Sequence, residues 1–168
     1  MIVIADYDPG WAALFESLRA TLSAALGELV SRIEHVGSTS VPGLAAKPIV
    51  DLDAILRSGG DREEAIARLA RLGYLHRGNL GIAGREAFTL RGSGPSPGAH
   101  HLYLCDPASA EWRRHLLFRD ALRADAALVA AYAALKWRLA NLHLQDRDAY
   151  TAAKTEFVEA VLRAAGKR

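Results

Sequence analysis

Apolar residues change their period near Pro107, and that change constrains the fold more than any other feature of the chain. Before it, short aliphatic and aromatic runs read as strands; after it, apolar residues recur at helical spacing in an alanine-rich background. "VSRIEHVG" (30–37), "KPIVDLDAIL" (47–56), "REAFTLRG" (85–92) and "HHLYLCD" (100–106) predict strands over 30–37, 48–56, 85–91 and 100–105. Two helices interleave with them. One spans 8–29, where Asp8 caps, Pro9 can take the first helical position, and Trp11, Leu14, Leu18, Leu22 and Leu26 form a stripe up to Gly27. The other spans 61–74, with acids in its first turn and Gly73 at its end. "GSGPSPG" (92–98) reads as a surface turn. Three further helices are expected over 108–124, 125–143 and 147–165. The expected class is α+β, a mixed sheet with flanking helices and a C-terminal helical bundle packed on it. At 168 residues this fits one domain over 1–168 with a sizeable core.

Charge and cysteine usage narrow the partners. With 21 basic and 19 acidic residues the net charge is +2, too balanced for a basic stripe, and no regular series of stacking aromatics is present. A nucleic-acid partner is therefore not expected. No apolar run approaches a membrane span, and "MIVIADYDPGW" lacks a basic region and a long apolar core, so neither a membrane partner nor a signal peptide is expected. A single cysteine, Cys105, cannot close an internal disulfide, which suits a reducing compartment. The expected location is the cytoplasm.

The chemistry concentrates in "EHVGSTSVPGLAAKPIVDLD" (34–53). Residues two apart on a strand face one side, so Asp51 and Asp53 present two carboxylates together, with Val50 and Leu52 on the other face. Acids that close repel unless a positive group joins them. Magnesium suits the role, because it takes carboxylate oxygens while keeping positions for substrate phosphates; one or two ions fit, bound weakly until phosphates complete the shell. Gly37 lets backbone approach a phosphate closely, and Ser38 and Ser40 offer hydroxyls, although the same serines suit capping of the following turn. Lys47 fits either phosphate neutralisation or a solvated surface. A Walker A loop is excluded, since Gly43 is followed by Leu44 and the lysine comes three residues late. Zinc is disfavoured as well, because alternation separates His100 from His101 and Cys105.

Hydrophobic-Gly-Ser, a short turn, then Asp-x-Asp thirteen residues after Ser38 resembles the polymerase-beta-like nucleotidyltransferase pattern. More specifically, "IEHVGSTSVPGLAAKPIVDL" resembles the signature of the GrpB family, a group of small nucleotidyltransferase-like proteins. "YDPGWAALFE", "HHLYLC", "LFRDALRA" and "YAALKWRLA" resemble segments of the same family in the same order, so the likeness spans nearly the whole chain. The resemblance implies the nucleotidyltransferase fold and transfer of a nucleotidyl group from a nucleoside triphosphate to an unknown acceptor, with magnesium. Its third metal-site carboxylate has no evident counterpart; Glu86 and His101, on later predicted strands, are the candidates. Matches at "FRD" and "YAALK" point Arg119 and Lys136 toward the triphosphate. The second function class is a non-catalytic nucleotide-binding or accessory module of the same fold.

Overall fold

The computed structural model describes residues 2–92, 98–143 and 145–166. Helix α1 (Gly10–Leu26) is followed by strands β1 (Val30–Val36) and β2 (Val50–Leu56), helix α2 (Arg62–Arg71), and strands β3 (Tyr74–His76), β4 (Arg85–Leu90) and β5 (His100–Cys105). Helices α3 (Ala110–Arg123), α4 (Ala126–Leu142) and α5 (Arg147–Ala165) complete the chain. The strands form one mixed sheet in the order β1-β2-β5-β4-β3, in which only the β2–β5 pair is parallel. That parallel pair requires a crossover, and α2, β3 and β4 lie within it.

The α+β expectation is met, with helix and strand limits within a few residues of those read from the pattern. Asp8 Oδ1 accepts the Gly10 N–H at 2.8 Å, and Gly27 ends α1 at φ +53°. One element went unread. The expected 61–74 helix stops at Arg71; Gly73, at φ +93°, turns the chain, and Tyr74 joins the sheet edge as β3. Three residues are too few to display an alternation. The turn expected at 92–98 falls mostly outside the described residues.

The two sheet faces have different covers. On one, Leu52, Leu102, Leu104 and Phe88 pack with Trp11, Phe15, Leu22 and Leu26 of α1 and with Leu69 of α2. On the other, α3 lies against β1 and β2 through His115 and Arg119. Its C-terminal end joins a separate cluster in which Leu122, Val41, Leu44 and Tyr132 are buried, and the Tyr132 ring stacks on Phe157 with centroids 4.9 Å apart. Asp51, Asp53 and His101 lie on this second face. Among the described residues no helix is long and apolar enough to cross a membrane.

Candidate functional site

Register fixes which side chains meet. Asp51 stands between Val36 of β1 and His101 of β5, and Asp53 between Glu34 and Tyr103. Cross-strand partners share a face, so both acids, Glu34, His101 and Tyr103 project from one side of the sheet. This is the arrangement expected from Asp-x-Asp on a strand. Asp51 remains partly open, and its Oδ1 accepts a hydrogen bond from His101 Nδ1 at 3.0 Å. Gly37 closes over its other oxygen. With φ +71° and ψ −179° the glycine occupies a region nearly closed to other residues, and a Cβ there would lie 2.4 Å from Asp51 Oδ2.

Asp53 is completely buried, because α3 covers it. His115 Nδ1 lies 2.6 Å from Asp53 Oδ2, and the far nitrogen of the same ring lies 3.1 Å from Glu111 Oε1. Burial opposes the charge on His115, but the Asp53 hydrogen bond and the charges of Asp53 and Glu111 outweigh it, raising its pKa. Among the described residues Asp53 Oδ1 has no hydrogen-bond partner. Sequence reasoning missed His115. The spacing of Glu111 and His115 signals a shared helix face, but nothing local points across 62 residues to Asp53.

Two sequence-derived candidates stand elsewhere. Glu86 pairs in register with Leu104, on the face opposite the acids, where its carboxylate binds His76 Nε2 at 2.7 Å and approaches Arg62 at 3.9 Å. It is not their third carboxylate; strand parity decides this, since Ala87, one residue on, is the partner of Tyr103. Arg119 is engaged with the protein itself. Its Nη1 donates to Glu34 Oε2 at 2.7 Å and to the His35 carbonyl at 3.0 Å, while Nε donates to Asp120. It ties α3 to β1 rather than standing free for phosphate. His101 does share the acids' face, as a nitrogen donor where the pattern would call for an oxygen.

The loop after β1 divides its hydroxyls in the same way. Ser40 is buried and donates to the Gly37 carbonyl at 2.5 Å, so it shapes the turn. His35 is also buried, stacked on Phe15 and bonded to Thr39 Oγ1; burial first, then the Arg123 charge, pushes its pKa down to about 4. Ser38 stays partly open and reaches the Tyr132 side chain.

Beside Ser38 and Asp51 the fold gathers amines. Lys136 of α4 is 2% exposed, its Nζ has no hydrogen-bond partner among the described residues, and it lies 4.7 Å from the Tyr132 ring centroid. Lys47 and Lys154 each place Nζ 4.5 Å from the centroid of one ring, Tyr150. Among the described residues none of the three has a carboxylate within ion-pair distance. Burial, then the charges of Lys154 and Lys47, lowers the Lys136 pKa to about 7. Burial, then Lys47, brings Lys154 to about 8, against the attraction of Asp51. Lys47 is lowered by burial and by Arg147. An amine cluster of this kind can offer positive charge to an anion. Lys154 and Tyr150 come from α5, beyond the reach of any local motif.

Asp51 Oδ2 and the buried, unpartnered Asp53 Oδ1 are hard oxygens, the donor type that magnesium takes. They form no complete cage: among the described residues no group of three or more His, Cys, Asp or Glu is arranged to hold a metal ion. Water and phosphate oxygens would have to supply the rest.

A family model described as GrpB protein matches residues 1–164. The chain belongs to the GrpB family. Among GrpB-family relatives, UPF0157 protein YqkA of Bacillus subtilis (strain 168) is 35% identical over 153 residues, 91% of this chain; the chain spans 44% of that relative's length. The crystal structure of conserved protein GrpB from Enterococcus faecalis superposes with a TM-score of 0.87 at 32% identity, covering 98% of each chain. A structure of the Cid1 poly(U) polymerase bound to MgATP gives a TM-score of 0.57 at 14% identity, covering 81% of this chain and 44% of that one. At that identity the likeness shows that this GrpB-family chain shares the nucleotidyltransferase fold, and no more.

Proposed function

We propose that the protein binds a nucleoside triphosphate and, with magnesium, transfers its nucleotidyl group to an acceptor. The observation that carries the reading is the buried, unpartnered Lys136 amine, grouped with Lys47 and Lys154 beside Asp51. Three amines without a carboxylate partner at one place would be completed by an anion, and outer phosphates of a triphosphate carry the required charge. Ser38 adds a hydroxyl at the near end of that cluster. Asp51 and Asp53 would hold magnesium, which when bound supplies charge neutralisation beside the α-phosphate. The protein's own groups do the remainder. Lys47, Lys136 and Lys154 grip the outer phosphates, which leaves the inner end toward the acids. His101 donates Nδ1–H to Asp51, so its Nε2 is the acceptor placed to take the proton of an incoming hydroxyl. The acceptor oxygen forms a bond to the α-phosphorus, the bond to the β-phosphate oxygen breaks, and pyrophosphate leaves.

The non-catalytic binding module is the second reading, favoured by the face itself. With Glu86 on the opposite side, no third carboxylate joins Asp51 and Asp53 from β4 or β5. Incubation with α- and γ-labelled nucleoside triphosphates and candidate acceptors separates the two. Label passing from the α position is the expected result; passage from the γ position alone would mean a kinase, and triphosphate binding with no transfer would select the binding module.

A further inference from the structure

Each of the two acids has one oxygen engaged by a histidine. His115 holds Asp53 Oδ2 at 2.6 Å and His101 holds Asp51 Oδ1 at 3.0 Å. Among the described residues the opposite oxygens have no side-chain donor: Asp53 Oδ1 is buried and unpartnered, and Asp51 Oδ2 lies against the Gly37 backbone, an approach that only the missing Cβ permits. The pair therefore offers one oxygen per carboxylate. A single divalent cation can take both, whereas two cations bridged by the same acids need oxygens that the histidines now hold.

We propose that His115 is a positioning residue that fixes Asp53 with one oxygen engaged and the other open, so that the acid pair takes one divalent cation. The inference rests on the reading of Asp51 and Asp53 as cation ligands given above. His115 is itself fixed from behind. Glu111 accepts from its Nε2 at 3.1 Å, and Arg85 lies 3.9 Å from that same Glu111 oxygen while stacking on Tyr103 at 4.3 Å. The chain Arg85–Glu111–His115–Asp53 runs from β4 through α3 to β2, so the Asp53 carboxylate cannot turn without disturbing three elements. Partners of this kind set the orientation of a ligating carboxylate, and their loss typically costs about 10- to 100-fold in metal affinity.

Manganese(II) is the probe, titrated into the full chain up to millimolar concentration and counted as free ion by electron paramagnetic resonance. Wild type should bind one ion per chain, displaced by magnesium. H115N keeps an amide donor where Nδ1 stands and should bind within about 3-fold of wild type, whereas H115A should bind about 10- to 100-fold more weakly. Circular dichroism checks that each variant is folded. If H115A does not fold, His115→Gln replaces it, because its donor reaches the Glu111 end and not Asp53. Two equivalent ions per chain, no ion at all, or an H115A or H115Q affinity equal to or above wild type would overturn the proposal. Inorganic triphosphate is titrated separately in chelator. Binding there through the three lysines tests the triphosphate reading alone, so its failure and the failure of the His115 role are told apart.

Discussion

At the scale of single residues, Gly37 and Lys136 carry sharply different risks. Any side chain at Gly37 meets both a positive φ and the Asp51 carboxylate 2.4 Å from the new Cβ, and that carboxylate belongs to a strand held on both sides. Gly37→Ala should cost about 1–3 kcal/mol of stability, measured by urea unfolding, because backbone strain of this kind is not relieved locally. Lys136 is the reverse case, a residue whose removal should help the fold. Replacing a buried amine without a partner by methionine should recover about 1–3 kcal/mol of desolvation cost while weakening triphosphate binding about 10- to 100-fold. The sign with pH follows from its lowered pKa. Between about 7 and 10.5 the unfolded chain binds a proton there that the folded chain does not, so stability rises with pH across that window. Lys136→Met should flatten the rise in a series of thermal melts. Lys154, Lys47 and Tyr132 face the same amine, and an anion that neutralises the cluster restores its proton. Triphosphate binding at pH 8 should therefore take up protons, seen as a buffer-dependent enthalpy in calorimetry.

Helix α3 is the element that closes over the acid-bearing face of the sheet. His115 and Arg119, four residues apart and hence on one helix face, bind Asp53 and Glu34, which are partners of neighbouring strands. Arg119→Ala would remove the donor that Glu34 Oε2 and the His35 carbonyl share, and should cost about 1.5–3 kcal/mol, since its bonds are charge-assisted and mostly buried. Glu34 reports the same clamp through pH. Burial opposes its charge, yet the hydrogen bonds and charges of Arg119 and Arg32 prevail and lower its pKa. That contribution is fully present above the ordinary value of 4.5 and is lost as pH falls through the lower folded value. Glu34→Gln should shrink the acid-side loss of stability, and Arg119→Ala should shrink it as well, when unfolding midpoints are compared from pH 6 to pH 3. A change in only one of the two variants would mean that α3 is held by other contacts.

Across the whole molecule, the amine cluster joins parts distant in sequence. Lys47 lies in the segment leading into β2, Lys136 on α4, and Tyr150 and Lys154 on α5. An anion bound among them bridges the sheet to the C-terminal helices and should stabilise both as one. Triphosphate at about 100 times its dissociation constant should add about 2.7 kcal/mol, with a single sharpened transition in calorimetry and an effect that fades as salt is raised. Two separating transitions would show that the ligand holds one part only.

Sequence by itself determined every element but β3, and the acid pair. Strand alternation put Asp51 and Asp53 on one side, Gly37 and the small-residue loop marked the turn beside them, and the change of period at Pro107 located the helical half. Each is a local fact, written within its own short stretch of sequence. Tertiary structure alone decided which groups those acids meet. Glu86 lost its place to strand parity, one residue out of phase with Tyr103, and Arg119 was turned inward by Glu34. His115 and the Tyr150–Lys154 pair entered the site from α3 and α5, carried there by packing between elements whose separation in sequence leaves no periodic trace. Side-chain period reports a face; only the register and docking of whole elements say what stands opposite it.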